Sequence, residues 1–356
     1  MSKLNILQTR IKAEGYDGVV ISAPEVIKYY TGIHIHPGER LYLMYVSASD
    51  KAKLLVNALF PLADNDEVEI CYYSDTDQPI ATLAQWMNNP SKVGIDKYWP
   101  SGFLLDLMNA LPNASMKKAS TLWDQQIMIK NDDDIAKMRA SSLMNDDVMD
   151  TIKEKVRSLK YSEKEIQGML TELYQEKGGS GYSFTPLICY GVGGSEPHHE
   201  SDDTRMESTG GVIVDIGGIK DGYCSDMTRS FHVGQPSQEY VTAYNLVLNA
   251  NLAAIAKVKP GVSLADIDKA ARDVITEGGY GEFFTHRTGH NIGMEVHEYP
   301  DVSASSTEVC QEGMIFSIEP GIYLPGKFGI RIEDLVVVTK DGVEVLNKYP
   351  KALEIL

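Results

Sequence analysis

The sequence has few cysteines, and their spacing excludes the common cysteine-based sites. Only four occur among 356 residues, namely Cys71, Cys189, Cys224 and Cys310. No two of them form a Cys-x-x-Cys pair, so a zinc ribbon and a thioredoxin-like redox site are excluded. Sparse, unpaired cysteines are typical of a reducing compartment, and we therefore expect a cytoplasmic protein.

Long apolar runs are absent as well. No segment reaches the roughly 18 consecutive apolar residues that a membrane-spanning helix needs. Charged residues interrupt the N-terminal sequence MSKLNILQTRIKAEG too often for a secretory signal. The sequence also has neither a Gly-x-Gly-x-x-Gly motif after a predicted strand nor a Gly-Lys-Ser/Thr phosphate loop, so nothing indicates a nucleotide site.

Positive charge is scarce relative to negative charge. The chain has 33 Lys and Arg residues against 50 Asp and Glu residues, and its formal net charge is -17. Phosphate backbones and anionic lipids repel such a chain, so we expect neither nucleic acid nor membrane as a partner. Residues 1–130 carry 12 basic and 14 acidic side chains, and residues 131–356 carry 21 and 36. The excess of acid therefore belongs to the second part of the chain.

The chain is long enough for two domains, and its pattern changes by Asn131–Asp134, so we place the boundary near residues 122–131, with the first domain over 1–122. In residues 1–122, strand-like runs such as 16–22 and 41–47 alternate with helical spacing at 79–88 and 102–110. Strands that alternate with helices predict an α/β domain.

Residues 123–356 show blocks of helices and strands, which predict an α+β domain. A long helix should begin after Asn131, and a second one at Ser162, where Glu165 completes a capping box. Two further helices are predicted at 237–257 and 263–276. The strand-like runs are 185–191, 211–217, 223–233, 313–324 and 329–339.

Three acidic residues lie in runs that otherwise predict buried strands. Asp215 follows Gly-Val-Ile-Val, Glu319 follows Met-Ile-Phe-Ser-Ile, and Glu333 precedes Asp-Leu-Val-Val-Val. A buried carboxylate is unfavourable unless it is paired or binds a metal. Each acid alone has an ordinary explanation, such as a turn at Asp215 or a pair between Glu333 and Arg331 on one strand face. Their recurrence predicts a common site.

Asp226 and His290 extend this acidic set. Asp226 lies in Ser-Asp-Met-Thr-Arg, and His290 lies in Gly-His-Asn-Ile-Gly. Four carboxylates and one imidazole suit two hard or borderline divalent ions such as Mn²⁺, whose charge would balance the four acids. Arg331 could orient a ligand carboxylate or bind substrate, and Thr228 could hydrogen-bond a metal-bound group.

Together these motifs resemble those of the proline-specific metallopeptidases of the pita-bread fold. This family contains Xaa-Pro dipeptidases (prolidases), Xaa-Pro aminopeptidases, methionine aminopeptidases and creatinase. The stretch 286–298, with His290 and His297, is the most specific motif. The resemblance implies a creatinase-like α/β domain over residues 1–122, followed by a pita-bread catalytic domain over residues 123–356.

The resemblance also implies a ligand set for two divalent ions, with Mn²⁺ favoured and Co²⁺ or Zn²⁺ as alternatives. The implied ligands are Asp215, Asp226, His290, Glu319 and Glu333. Asp226 and Glu333 would bridge the ions, Asp215 would complete one site, and His290 with Glu319 would complete the other.

Catalytic roles follow from the same resemblance. Glu319 would carry the proton of the attacking water to the leaving amine. His198 and His297 would bind substrate and stabilise the tetrahedral intermediate. The neighbouring His199 and His286 are expected to be structural or to support the ligands.

The implied activity is hydrolysis of the Xaa-Pro bond in dipeptides or short peptides by a homodimer, with prolidase favoured. An Xaa-Pro aminopeptidase acting on longer peptides is the alternative. A metal-dependent lyase or a non-catalytic binding protein on the same fold is a weaker one. Many prolidases carry an arginine soon after the His-Glu-x-Pro stretch, a residue linked to holding the dipeptide's carboxylate, whereas this chain has Asp301. Phe328 stands where a glycine is common, and both departures leave the substrate length open.

Overall fold

The computed structural model describes residues 2–356, which divide into two compact units. Unit 1 ends at Ile127, and unit 2 comprises Met128–Leu356. The division falls within residues 122–131, where the boundary is predicted, and five residues beyond residue 122. The reason is a short helix, Thr121–Ile127, that packs Leu122 and Trp123 into the core of unit 1.

Unit 1 is an α/β domain with a six-stranded mixed sheet. In chain order its elements are α1 (Lys3–Ala13), β1 (Gly18–Ile21), α2 (Pro24–Thr31), β2 (Leu43–Ser47), β3 (Ala52–Asn57), β4 (Val68–Tyr73), α3 (Pro79–Met87), β5 (Lys92–Ile95), α4 (Ser101–Ala110), β6 (Ser115–Lys118) and α5 (Thr121–Ile127). The strand order is β4-β3-β2-β1-β5-β6. β1 pairs antiparallel with β2 and parallel with β5.

The sheet of unit 1 is buried on both faces. Val19 and Ile21 of β1 pack in a core with α1, α2 and α5, whereas Val20 packs on the other face with α3 and α4. This alternation follows from the two-residue period of a strand. The predicted α/β architecture is confirmed.

Unit 2 contains four helices and thirteen strands within Met128–Leu356. They are α6 (Asp132–Arg157), α7 (Glu163–Glu176), β7 (Gly181–Tyr182), β8 (Leu187–Tyr190), β9 (Gly210–Ile216), β10 (Gly218–Lys220), β11 (Tyr223–Cys224), β12 (Met227–Val233), α8 (Gln238–Lys257), α9 (Leu264–Glu277), β13 (Gly289–Asn291), β14 (Glu298–Val302), β15 (Ile315–Ile318), β16 (Gly321–Leu324), β17 (Phe328–Arg331), β18 (Asp334–Val338) and β19 (Val343–Val345).

Two helix pairs flank the strands of unit 2. α6 and α7 share an apolar core with β8, β9 and β12, and α8 and α9 share another with β15, β16, β17 and β18. Both predicted helix starts are correct, since Asn131 and Ser162 each form a complete capping box. Among the helices of residues 2–356, none has the length and apolar character of a membrane span. The predicted α+β class is confirmed.

Three runs that the sequence pattern predicts as single strands are each divided in two. The breaks lie at Asp226, between β11 and β12, at Glu319, between β15 and β16, and at Glu333, between β17 and β18. At two breaks the backbone bonds to another segment, because the Glu319 N–H donates to the Thr288 carbonyl and the Glu333 N–H donates to the Thr228 carbonyl. The apolar pattern continues across each break, so periodicity alone does not reveal it.

A buried ion network supports the break at Glu333. Arg229 is 1% exposed and donates hydrogen bonds to the carbonyl oxygens of Thr228 and Glu333. Its Nη2 lies 2.7 Å from Asp334 Oδ1, and Lys351 Nζ lies 2.7 Å from Asp334 Oδ2. Asp334 therefore compensates two cations, one of them fully desolvated.

Replacing Asp334 with Asn should destabilise unit 2 by about 3–5 kcal/mol, because a buried guanidinium loses its counter-charge. Thermal unfolding followed by circular dichroism measures this loss as a lower Tm. Glu239→Gln is the matched control, since it breaks the exposed Lys327–Glu239 pair, and such pairs contribute about 0–1 kcal/mol. Equal shifts in the two variants would contradict the assigned role of Asp334.

Candidate metal centre

The eight residues predicted from the sequence to bind metal, bind substrate or act in catalysis all line one cavity. Its volume is about 510 Å³. The eight are His198, Asp215, Asp226, His290, His297, Glu319, Arg331 and Glu333. They come from widely separated segments, so the fold of unit 2 brings them together.

Asp215 and Asp226 are positioned by the neighbouring strands β9 and β12. Asp215 lies on β9, directly opposite Thr228 of β12 in the antiparallel register. Asp226 immediately precedes β12 and is 5% exposed. The hairpin-like pairing of these strands therefore brings two carboxylates that are eleven positions apart to one end of the sheet.

His290 is oriented by its own strand and by a close backbone approach. A Cβ on the preceding Gly289 would lie 1.9 Å from the Ser317 carbonyl oxygen, so only glycine permits this pairing. His290 Nδ1 lies 3.1 Å from the Asn291 carbonyl oxygen. Because a carbonyl only accepts, Nδ1 carries the proton and Nε2 presents a lone pair to the cavity.

The lone pair of His290 points towards the acids. Its Nε2 lies 3.6 Å from Asp226 Oδ2 and 3.5 Å from Glu319 Oε1. Ligand atoms of Asp226, His290 and Glu333 lie within 4.8 Å of one another, close enough to share a metal ion. Glu319 is held by Ser317, whose hydroxyl donates to Glu319 Oε1 at 3.3 Å.

A hydrogen-bond network of Thr228 and Arg331 orients the carboxylates of Glu333 and Asp215. Thr228 Oγ1 donates to Glu333 Oε2, an oxygen of a predicted metal ligand, at 2.7 Å. Arg331 donates to Thr228 Oγ1 at 3.1 Å, to Asp215 Oδ2 at 2.6 Å and to the Tyr323 hydroxyl at 2.7 Å. Arg331 thus orients a predicted ligand carboxylate, one of the two roles expected for it.

Three carboxylate oxygens in the cavity have no hydrogen-bond partner within residues 2–356. They are Asp215 Oδ1, Asp226 Oδ1 and Glu333 Oε1. Each belongs to a residue whose other oxygen is oriented by a donor or faces His290 Nε2. Unsatisfied buried carboxylate oxygens are unfavourable unless a cation binds them. The donor set therefore fits divalent metal ions.

The electrostatics of the cavity show the cost of burying these acids without cations. Burial, reinforced by the neighbouring Glu333 and Asp215 carboxylates, raises the pKa of Asp226 well above its ordinary value. Burial also raises the pKa of Glu333, and it raises the pKa of Glu319 to about 7. Burial lowers the pKa of His290 to about 3, which keeps its imidazole neutral and able to bind a metal.

The two predicted substrate-binding histidines lie at different depths. His297 packs edge-to-face against His290, with ring centroids 4.2 Å apart. Burial lowers the pKa of His297. His198 lies in an irregular segment after β8 and is exposed at the wall of the cavity.

Several residues of the cavity were not singled out as binding residues from the sequence. Arg287 lines the wall and donates to Asp301 Oδ1 at 2.8 Å. His286, expected to be structural, lines the cavity and is hydrogen-bonded at Nε2 to the Tyr323 hydroxyl at 3.0 Å. The only sequence signal for Arg287 is its position within the 286–298 motif that contains His290. The apolar part of the wall comes from Phe184, Leu187, Pro197 and Val296.

Comparison with known proteins places this site in a family. Residues 136–340, more than half of the chain, match the model of metallopeptidase family M24, and residues 3–129 match the creatinase/prolidase N-terminal domain. An uncharacterized peptidase of Staphylococcus aureus (strain MRSA252) is 34% identical over 99% of this chain and 100% of its own length.

Solved structures agree with this placement. A recombinant prolidase from Thermococcus sibiricus has a TM-score of 0.92 and 30% identity, and the match covers 99% of this chain and 98% of that one. An X-Pro aminopeptidase from Thermotoga maritima has a TM-score of 0.81 and 27% identity over 98% of this chain and 100% of that one. The predicted creatinase-like N-terminal domain and pita-bread catalytic domain are confirmed, and the chain belongs to metallopeptidase family M24.

Proposed function

We propose that this metallopeptidase hydrolyses the peptide bond between an N-terminal residue and proline, with Xaa-Pro dipeptides as preferred substrates. The observation that carries the proposal is the convergence of four carboxylates and the neutral imidazole of His290 on one cavity, with three carboxylate oxygens unpartnered. The likeness to a prolidase over nearly the whole chain supports the choice of substrate.

We further propose that the cavity holds two divalent ions, with Mn²⁺ favoured and Co²⁺ or Zn²⁺ as alternatives. Asp215, Asp226, His290, Glu319 and Glu333 would hold these ions. Oxygen-rich donor sets favour hard or borderline ions. When bound, such ions lower the pKa of a water molecule towards neutrality and polarise the scissile carbonyl.

The residues around the ligands supply proton transfer and substrate contacts. Glu319, on the cavity wall, takes the proton of the attacking water and returns it to the nitrogen of the scissile bond. His198 and His297 bind the substrate and donate hydrogen bonds to the oxygen on which negative charge develops. Arg331 holds Asp215 in its ligating orientation through the 2.6 Å contact.

The preference for dipeptides rests on Arg287. Arg287 and Arg331 are the cations that line the cavity, and Arg331 is 5% exposed with three side-chain partners. The Arg287 side chain is 36% exposed, and its partner Asp301 is 49% exposed. It can therefore exchange this surface contact for the free carboxylate of a dipeptide. An Xaa-Pro aminopeptidase acting on longer peptides remains the second candidate, favoured by the likeness to the Thermotoga maritima enzyme.

The proposed assembly is a homodimer in the cytoplasm. Family resemblance supports the dimer, and the sparse cysteines of the sequence support the compartment.

Asp226→Asn should abolish cleavage of Xaa-Pro dipeptides in Mn²⁺-reconstituted protein, with a loss on the order of 10³-fold or more, because metal-ion catalysis supplies several kcal/mol. Steady-state kinetics and metal analysis by mass spectrometry measure both effects. Asp221→Asn is the control, since it removes one carboxylate from the turn between β10 and β11. Retained turnover in Asp226→Asn would refute the proposal.

Mn²⁺ should raise the Tm of the metal-free protein more at pH 7.5 than at pH 5.5. Protons and the metal compete for the same carboxylates, and a pKa of about 7 leaves Glu319 mostly protonated at the lower pH. At 100 times the dissociation constant, the gain is about 2.7 kcal/mol. The shift should vanish in Asp226→Asn, and an equal shift at both pH values would contradict proton competition.

Arg287→Ala should raise the KM for Xaa-Pro dipeptides by roughly 10-fold to 100-fold, the value of a charge-assisted hydrogen bond. The matching Xaa-Pro amides, which lack the carboxylate, should be cleaved almost unchanged. Asp301→Asn should lower the KM for dipeptides, because it frees the guanidinium. A similar loss on dipeptides and amides would instead favour the aminopeptidase.

A further inference from the structure

The segment 196–202, which carries His198, has no regular secondary structure yet is tied down at several points. It follows β8 and a short 3-10 helix, Gly191–Ser195. His198 is exposed in the cavity wall, whereas the next residue, His199, turns its ring towards the body of unit 2. The side chains of His198 and His199 therefore point to opposite sides of the segment.

The group that meets His199 is a fully buried carboxylate. Glu163 is the first residue of α7 and has a side-chain exposure of 0%. Its Oε1 accepts the Tyr190 N–H at 2.6 Å, and its Oε2 accepts the Asp202 N–H at 3.0 Å and His199 Nε2 at 2.7 Å. One carboxylate therefore binds Tyr190, which precedes the segment, and both His199 and Asp202 within it.

The side chains of Glu163, His199 and Asp202 are close enough to hold a metal ion, but their bonding argues against one. Both Glu163 oxygens already accept N–H donors. Asp202 Oδ1 accepts the Thr204 N–H at 2.7 Å. Because the partner of His199 Nε2 is a carboxylate, that nitrogen carries a proton and offers no lone pair. The three side chains therefore form a hydrogen-bonded cluster and not a metal site.

The packing of the His199 ring restricts it further. A Cβ on Gly193 would lie 3.1–3.4 Å from the ring atoms of His199, so the ring rests against bare backbone. The Ser201 hydroxyl accepts the Ile188 N–H at 2.9 Å and donates to the Ile188 carbonyl at 3.1 Å. This second attachment is independent of Glu163, and it should keep the segment folded when Glu163 is altered.

We propose that Glu163, through His199, is the positioning residue that holds His198 at the cavity wall for substrate. The inference rests on the proposed function, because it assigns His198 a contact with substrate. Glu163 itself does not line the cavity. Its effect on turnover passes through the geometry of the segment, where a displacement of about 1 Å costs up to roughly 100-fold in rate.

Glu163→Gln tests this positioning with little change of shape. Glutamine has a single acceptor oxygen, so its NH₂ group must face either the Tyr190 N–H or the Asp202 N–H. Glu200→Gln is the matched control, since it removes one carboxylate from an exposed position of the same segment. We expect kcat for Xaa-Pro dipeptides to fall about 10-fold or more in Glu163→Gln and to change less than about 2-fold in Glu200→Gln, with Mn²⁺ content unchanged in both.

A double-mutant cycle with His198→Ala separates positioning from general damage. If Glu163 acts through His198, Glu163→Gln should cause no further loss of kcat in the His198→Ala background. His199→Asn, which removes only the ring contact, should show the same non-additivity if Glu163→Gln fails to fold. Multiplicative losses, or equal activities of Glu163→Gln and Glu200→Gln, would overturn the inference.

Hydrogen exchange measured by mass spectrometry gives a readout that does not require a substrate. Exchange in residues 196–202 should accelerate in Glu163→Gln and stay unchanged in Glu200→Gln, while exchange in the body of α7 stays the same. Unchanged exchange in the segment would overturn the inference. A wild-type protein that fails to cleave any Xaa-Pro substrate would overturn the proposed function, and the exchange result would still decide whether Glu163 orders the segment.

Discussion

The mutual repulsion of four carboxylates that converge on one cavity is the constraint on which the rest of the catalytic unit depends. Burial disfavours the ionised forms of Asp226, Glu319 and Glu333, and the Asp215 carboxylate adds a further negative charge beside them. Arg331 forms an ion pair with Asp215, and this single positive charge offsets only part of the charge of the four acids. The cavity therefore fits divalent cations, and the hydrogen bonds to Asp215, Glu319 and Glu333 each orient one carboxylate oxygen.

The strand breaks let acids face the cavity while their backbone groups stay hydrogen-bonded. In the middle of a regular strand, the backbone groups of an acid would have to bond to the neighbouring strands of the same sheet. At Glu319 and Glu333 the chain leaves one sheet and enters another, and the backbone bonds to Thr288 and Thr228 across the site. The buried ion pair of Arg229 and Asp334 stabilises the chain where it passes between the two sheets at Glu333. The change of sheet therefore forms part of the site and also connects the site to buried hydrogen bonds in the core.

Much of the fold could be predicted from local patterns. The capping boxes at Asn131 and Ser162 are complete within a few residues, and their helices begin as expected. The two-residue alternation of β1 is likewise a local property. The breaks at Glu319 and Glu333 could not be predicted this way, because apolar residues continue across them and only distant backbone partners decide the pairing. The residue within 122–131 at which unit 1 ends is also decided by long-range packing, since Trp123 joins the core of unit 1.

The sequence by itself determined which chemical groups the site can offer, because the residue types that can bind a metal can be identified from the sequence alone. It contains the five predicted ligands and the two histidines that we propose bind substrate, and their motifs resemble those of one family. Only the tertiary structure decided which oxygens stay unpartnered, which nitrogen of His290 faces the acids, that Arg287 lines the cavity, and that Glu163 contacts His199. These properties depend on contacts between segments far apart in the chain, which no local pattern encodes.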